Sequence, residues 1–302
     1  MFDAHAHWLP EEIIENSHFY SKAWGDIEKH LELMAGFKID KTLIIYPTND
    51  AHTRMGSHGD ICRKYNDGIA EIARRYPDMI TGAAILPVDS PVEMMTELKR
   101  ATEGLGFNAL SLGSSFDGIY LDDERFFPLY EIIAPRGIPV FIHPQTINPI
   151  GFERIAHPLL TPVIEYVFDT TICIGKIITS GILKRFPGLK LVFAHFGGVT
   201  PFIKERFDSV YKMLRGREIV EDLGALPTEY LKQLYVDTSG VTTKAALQCT
   251  IDMVGTKHVL WGSDYPGNPD IPASIRAIEE MDITGEEKSM ILGGNVERLL
   301  KP

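Results

Sequence analysis

Short runs rich in Val, Ile, Leu and Phe, each bounded by Gly, Pro or Asp, recur along the whole chain and predict eight strands. They are Phe2–His7, Thr42–Pro47, Ile80–Val88, Phe107–Gly113, Ile138–Pro144, Leu189–Phe196, Leu234–Thr238 and His258–Asp264. Some are continuously apolar, such as IPVFIH at 138–143 and LVFAHF at 191–196. A strand apolar on both sides suits a parallel sheet covered on both faces. Between the runs the period changes to that of amphipathic helices, as in residues 91–106 and 123–137. The second of these ends on Gly137, a residue type that caps helices. Eight strand–helix units in 302 residues is the arithmetic of an α/β fold of the (β/α)8 TIM-barrel kind. The interval at about 145–188 is too long for one helix and predicts an insertion between strands 5 and 6. No Gly/Ser-rich linker or break in composition divides the chain, so residues 1–302 are read as one domain.

Charge narrows the partners. Lys and Arg number 30 against 41 Asp and Glu, a formal net charge of −11. That balance disfavours a general nucleic-acid-binding or anionic-membrane surface, while leaving room for a local basic pocket. The three cysteines, Cys62, Cys173 and Cys249, are widely spaced and form no Cys-x-x-Cys pair. Neither a disulfide framework nor a thiolate zinc site is indicated, and a reducing compartment is the simpler reading. No basic segment leads into an apolar core at the N-terminus, and no apolar run approaches the roughly 18–20 residues that span a bilayer. A soluble, cytoplasmic protein is expected.

The chemistry-bearing residues gather at strand ends. The chain opens on Asp3-Ala4-His5-Ala6-His7. Alternate residues of a strand share a face, so His5 and His7 point the same way and can bind one metal. His143 ends the fifth predicted strand, His195 lies at the end of the sixth and Asp264 at the end of the eighth. Each alone caps a loop as readily as it does chemistry. A barrel, however, presents its C-terminal strand ends to one shared site, so the five become neighbours.

This pattern, with the stretches DAHAHWLP, VFIHPQ, FPGLKLVFAHFGG, WGSDYP and ILGGNVERLL, resembles the amidohydrolase superfamily. Closer still, it is similar to the branch containing 2-amino-3-carboxymuconate-6-semialdehyde decarboxylase and related aromatic-acid decarboxylases. The resemblance implies a metal-dependent enzyme with His5, His7, His143 and Asp264 as ligands of one divalent ion. Zinc fits three imidazoles and a carboxylate, with manganese as the other candidate. His195 would stand beside the metal and hold a water or move a proton. Superfamily members with two metals bridge them through a carboxylated lysine on strand 4. The stretch FNALSLG at 107–113 has none, which favours a single metal.

By the same resemblance Arg206 would bind a substrate carboxylate from the partner subunit of a homodimer. Trp8, next to the histidine pair, is a second candidate substrate contact. Two departures stand out. The segment NSHFYSKAWGD at 16–26 lacks the arginine that the decarboxylases carry before a Trp, leaving Lys22 as the cation near Trp24. The expected His-Gly-Gly-Gly becomes His195-Phe196-Gly197-Gly198, which sets a phenyl ring beside the histidine.

The function these readings imply is non-oxidative decarboxylation of a small carboxylated aromatic or muconate-like acid, with His195 and Asp264 catalytic. The alternative is hydrolysis of a lactone, amide or similar bond by metal-activated water. Asp169 is read as a group behind the site or a helix N-terminal charge, and His52, His58 and His157 as surface histidines. The stretch GGNVERLL at 293–300 is read as a final helix closing the barrel.

Overall fold

Eight barrel strands form in the predicted order, and the computed structural model describes residues 1–48, 51–155, 157–240, 242–268 and 270–301. Residue 302, the end of the expected domain, lies outside that range. The strands are β1 (Phe2–His7), β2 (Lys41–Ile45), β3 (Ile80–Gly82), β4 (Leu110–Gly113), β5 (Val140–His143), β6 (Leu191–Phe193), β7 (Tyr235–Asp237) and β8 (Val259–Leu260). Parallel ladders join β1 to β2 to β3, and β4 through β5, β6 and β7 to β8.

Two seams close the ring. At one, the Ala84 N–H donates to the Ala109 carbonyl at 2.9 Å, and the Ser111 N–H donates to the Ala84 carbonyl at 2.8 Å. At the other, Ala4 donates to Trp261 O at 2.9 Å, Asp264 to His5 O at 2.8 Å and His7 to Tyr265 O at 2.7 Å. Closure leaves no barrel edge open, which removes the liability of an unpaired strand. Gly262 is required at the second seam, because a Cβ there would lie 2.6 Å from the His5 Cβ.

The barrel interior is filled by side chains. Ala4, Leu43, Ile45, Phe141, Val192 and Leu260 are all buried in one cluster, and Val296 and Leu299 of the final helix (Asn295–Leu300) plug it from below. That is the closing helix expected from the sequence. The register of β1 on β2 shifts between Asp3 and Ala6. Ala4 belongs to the interior cluster, whereas Ala6 packs in the outer layer between strands and helices. The inward-facing parity therefore changes at the irregularity, as an extra residue in a strand makes it do.

Helices cover the outside. In α1 (His58–Arg75) the buried Ile61, Tyr65 and Ile69 face the strands, and Ser57 caps the N-terminus by accepting from the Asp60 N–H. The connection from β5 to β6 holds two short helical pieces, Phe152–Ile155 and Thr161–Glu165, ahead of α2 (Tyr166–Thr179). After β6 comes α3 (Thr200–Arg215), and after β7 comes α4 (Lys244–Val254). No helix among the described residues is long and apolar enough to cross a membrane.

Every strand after β1 is shorter than the sequence predicts, three of them by four residues or more. β3 stops at Gly82 with one further bridge at Ala84, short of Pro87, which has no N–H for a ladder. β6 stops at Phe193, so His195 sits in a turn and not on the strand. β8 stops at Leu260, and Asp264 follows in irregular chain held against β1.

Candidate metal centre

The C-terminal ends of the strands bring three imidazoles together with their ring protons already committed. His5 Nδ1 lies 2.8 Å from Asp237 Oδ2, His7 Nδ1 3.0 Å from the Ile45 carbonyl and His143 Nδ1 2.9 Å from the Pro144 carbonyl. All three partners are acceptors, so each ring carries its proton on Nδ1 and leaves a bare lone pair on Nε2. Those lone pairs converge. His5 Nε2 is 3.1 Å from His7 Nε2, and Asp264 Oδ1 is 3.2 Å from His7 Nε2 and 3.5 Å from His5 Nε2. Two bare nitrogens at hydrogen-bond distance repel unless a cation lies between them. Zinc–nitrogen bonds of about 2.0–2.1 Å put tetrahedral ligands about 3.3 Å apart, the spacing seen among these atoms.

His195 joins the group. Ligand atoms of His5, His143, His195 and Asp264 all lie within 4.8 Å of one another. His195 Nδ1 lies 3.2 Å from the Ser239 carbonyl, which leaves Nε2 for the cluster. The structure thus gathers five residues named from the sequence, with His7 joined to the group through His5 and Asp264. Both His195 and Asp264 have left-handed backbones, with φ of +52° and +61°. Such conformations in residues other than glycine are strained and concentrate at functional sites.

Burial and neighbours set the protonation. Burial, aided by the nearby His5, holds His7 below the ordinary imidazole value. His143 lies well below it, through burial and the imidazoles of His7, His5 and His195. For His5 burial pulls downward, but Asp237, Asp264 and Asp3 outweigh it and raise the value. Burial would raise Asp264, yet His7, His195 and His5 hold its carboxyl well below the usual carboxylate range. His7 and His143 are thus held as the neutral imidazoles, and Asp264 as the carboxylate, that a cation requires, whereas on His5 a cation would compete with the proton its carboxylate neighbours favour.

Asp237 is the functional residue that sequence reasoning missed. It is 1% exposed and accepts from the Ser239 hydroxyl at 2.6 Å, the Ser239 N–H at 3.0 Å and the His195 N–H at 3.1 Å, besides His5. One carboxylate therefore fixes the tautomer of His5 and the backbone of His195, a supporting role typical behind metal ligands. The only available sign was an Asp at the end of the seventh predicted strand, two residues before a Ser.

Above the cluster lies a cavity of about 820 Å³ whose wall includes His143, His195 and Asp264. Tyr20 and Trp24 line it, and Trp24 stacks on the His7 ring at 5.4 Å. Trp8 does not line it: its indole N–H donates to the Gly25 carbonyl at 2.9 Å and its ring lies over Gly68. Trp8 faces away because it continues past the end of β1, whereas the chain from 8 to 26 loops back and delivers Trp24. Arg206 is also outside this cavity. It is exposed on α3 and borders a separate apolar groove of about 530 Å³ with Phe207, Val210 and Tyr211.

The remaining candidates have structural positions. Asp169 accepts from the Ser114 and Ser115 hydroxyls, from Tyr120 and from the Ile150 N–H, tying α2 to the loops after β4 and β5. His157 is exposed as expected, but His58 is not a surface histidine. Its ring stacks on Phe116 at 4.9 Å, with His52 beside it at 5.6 Å.

Known proteins resemble the chain in sequence and in fold. The amidohydrolase family model matches residues 2–301. The 2-amino-3-carboxymuconate-6-semialdehyde decarboxylase of Dictyostelium discoideum is 32% identical over 249 residues, which are 80% of this chain and 66% of that protein's length. Among solved structures, 5-carboxyvanillate decarboxylase from Sphingomonas paucimobilis superposes with a TM-score of 0.87 at 23% identity, covering 99% of this chain and 98% of that one. The corresponding enzyme from Novosphingobium aromaticivorans, complexed with manganese and 4-hydroxy-3-methoxy-5-nitrobenzoic acid, gives 0.85 at 22%, covering 100% and 96%. The two superpositions show a shared barrel.

Proposed function

The chain belongs to the amidohydrolase family, and on that premise we propose that it is a divalent-metal-dependent, non-oxidative decarboxylase of a small aromatic or muconate-like acid. The observation that carries this reading is the convergence of three bare Nε2 lone pairs and an ionised carboxylate at the base of a cavity. His5, His7, His143 and Asp264 would hold one ion. Zinc suits the donor set, and manganese accompanies the related Novosphingobium enzyme. Such an ion supplies Lewis-acid stabilisation of the negative charge that develops as the carboxylate leaves.

The chain's own groups do the rest. None of the described residues lining the cavity is Lys or Arg, so the walls alone offer a carboxylate no permanent positive charge. Trp24, Tyr20 and Phe196 give the substrate an apolar surround that excludes water and strengthens the electrostatics at its base. As the bond to the carboxylate breaks, carbon dioxide departs and the electron pair stays on the former α-carbon. His195 in its protonated form delivers a proton to that carbon from Nε2, while Nδ1 remains on Ser239. The imidazole then recovers a proton from solvent. Asp264 holds its charge throughout; in a hydrolytic reaction it would accept the proton of the attacking water.

Arg206 enters this reading through a second copy of the chain. Phe202 is 84% exposed and lies one turn before Arg206 on α3, so this helix face is uncovered in the single chain. Packing of two copies there would bring a guanidinium towards a partner's cavity and supply a fork for a carboxylate.

The test is a panel of aromatic acids, muconates and lactones, with carbon dioxide and acid release followed separately and metal content measured. About one ion per chain and carbon dioxide release abolished by a chelator are expected. Acid release without carbon dioxide would select the hydrolase. Activity that survives complete metal removal would overturn the reading.

A further inference from the structure

Four consecutive residues after β6 have left-handed backbones: His195 at φ +52°, Phe196 at +62°, Gly197 at +71° and Gly198 at +67°. Each has a different reason to be what it is. A Cβ at Gly198 would lie 2.2 Å from the Val167 carbonyl oxygen, so only glycine fits. At Gly197 a Cβ would crowd Ile174 and Val236 at 3.2 Å. His195 is fixed by its imidazole. Phe196 has no such constraint, and its φ, ψ of +62°, +11° is one that a bulky side chain disfavours. A glycine would adopt it freely.

The phenyl ring is therefore held against a backbone penalty, and its position shows the use. Phe196 is half-buried, packs against the outer core, and lines the cavity beside His195 and Ser239. The other aromatic walls come from the β1–β2 segment (Tyr20, Trp24) and the β5–β6 connection (Phe152, Tyr166). Phe196 alone comes from the end of β6, one residue along the chain from the imidazole assigned the proton.

We propose that Phe196 is a specificity-determining residue whose ring selects planar aromatic acids over open-chain diacids. The inference rests on the decarboxylase reading of the site. A planar ring gains a stacking face from the phenyl. An open-chain diacid gains little from that face. Aromatic pairing of about 0.5–1.5 kcal/mol beyond simple burial corresponds to a preference on the order of 2- to 12-fold.

The experiment measures binding of 2-hydroxybenzoate and muconate to the metal-loaded protein by calorimetry, with kcat/KM for carbon dioxide release from any aromatic acid turned over. Phe196→Gly and Phe196→Ala should each reduce the aromatic-to-muconate preference by about 2- to 12-fold, whereas Phe196→Tyr should retain it. An unchanged preference in both truncated variants overturns the role while leaving the decarboxylase reading intact. Failure of the unsubstituted protein to bind or turn over any aromatic acid overturns both. The backbone premise is read separately. Phe196→Gly should unfold at a higher urea concentration than Phe196→Ala, since both lose the ring and only glycine is relaxed at positive φ. Equal midpoints would remove the strain and the proposal with it.

Discussion

Asp237→Asn isolates the group that orients the centre without touching its ligand lone pairs. Three donors converge on Oδ1, the Ser239 hydroxyl and N–H and the His195 N–H, and one ring nitrogen faces Oδ2. An asparagine keeps its carbonyl oxygen where the three donors meet, which directs its NH2 at His5 Nδ1. That nitrogen can stay protonated only by leaving two donors face to face. Otherwise the proton shifts to Nε2 and cancels the lone pair aimed at the metal. The first route strands buried donors at about 1–3 kcal/mol. The second removes the support behind a ligand, which lowers metal affinity by about 10- to 100-fold, or about 1.4–2.8 kcal/mol. The two estimates agree. Zinc and manganese dissociation constants measured against a chromophoric chelator at pH 7, with circular dichroism to establish the fold, provide the assay. Folded Asp237→Asn protein that binds either ion within about twofold of the unsubstituted chain would refute the orienting role, since the first route requires at least about fivefold and the second about tenfold. Asp237→Ala is less informative because it orphans all four donors at once.

Other perturbations test other parts. Mixing inactive Arg206→Ala and His195→Ala proteins should restore carbon dioxide release if the arginine serves a partner's site; exchange of subunits without recovery would exclude that. Gly198→Ala should cost about 2–5 kcal/mol in urea unfolding, from left-handed strain plus the 2.2 Å approach to Val167, and a loss below about 1 kcal/mol would mean that α2 does not press on the turn. Burial lowers His58 to about 4, against the upward pull of Asp89 and Asp117 and together with His52. The unfolded chain takes up this proton near pH 6.5 and the folded chain only near 4, so stability is full above 6.5 and falls as pH drops through that window. Replacement by Phe preserves the stack on Phe116 and should flatten the decline by about 2–3 kcal/mol, measured as unfolding free energy at pH 7 and pH 4; an unchanged slope would refute it.

The sequence exposes what depends on residue type and period, and hides what depends on chain path. His5, His7, His143 and Asp264 could be placed together because strand ends in a barrel share one face. Their tautomers could not, since those depend on the Ile45 and Pro144 carbonyls and on Asp237, which only the fold positions. The shift within β1 was also hidden. Alternation correctly puts His5 and His7 on one side, but a strict period of two from Phe2 and Ala4 would turn them away from the interior. Trp8 and Trp24 were exchanged for a similar reason, because adjacency to the histidines in sequence does not survive the loop between β1 and β2. His195 looked like the end of an apolar strand, and nothing in LVFAHFGG other than its paired glycines announces four left-handed residues in succession.

These local departures share one physical logic. Left-handed backbone at His195 and Asp264 and the close approach of the His5 and His7 lone pairs both oppose folding. Each is sustained by ordinary packing elsewhere: the filled interior beneath, the Val296–Leu299 plug and the α2 contact on the glycine turn. On the proposed reading, an ion that binds the folded chain would stabilise it by mass action, about 2.7 kcal/mol at a hundredfold excess over its dissociation constant. It also changes the meaning of a net charge of −11. An acidic exterior discourages anions at long range, and the described residues of the cavity wall include no Lys or Arg to offset it. On the proposed reading, recognition of an acidic substrate therefore rests on the bound cation and on Arg206 of a second copy, while the aromatic walls discriminate among acids.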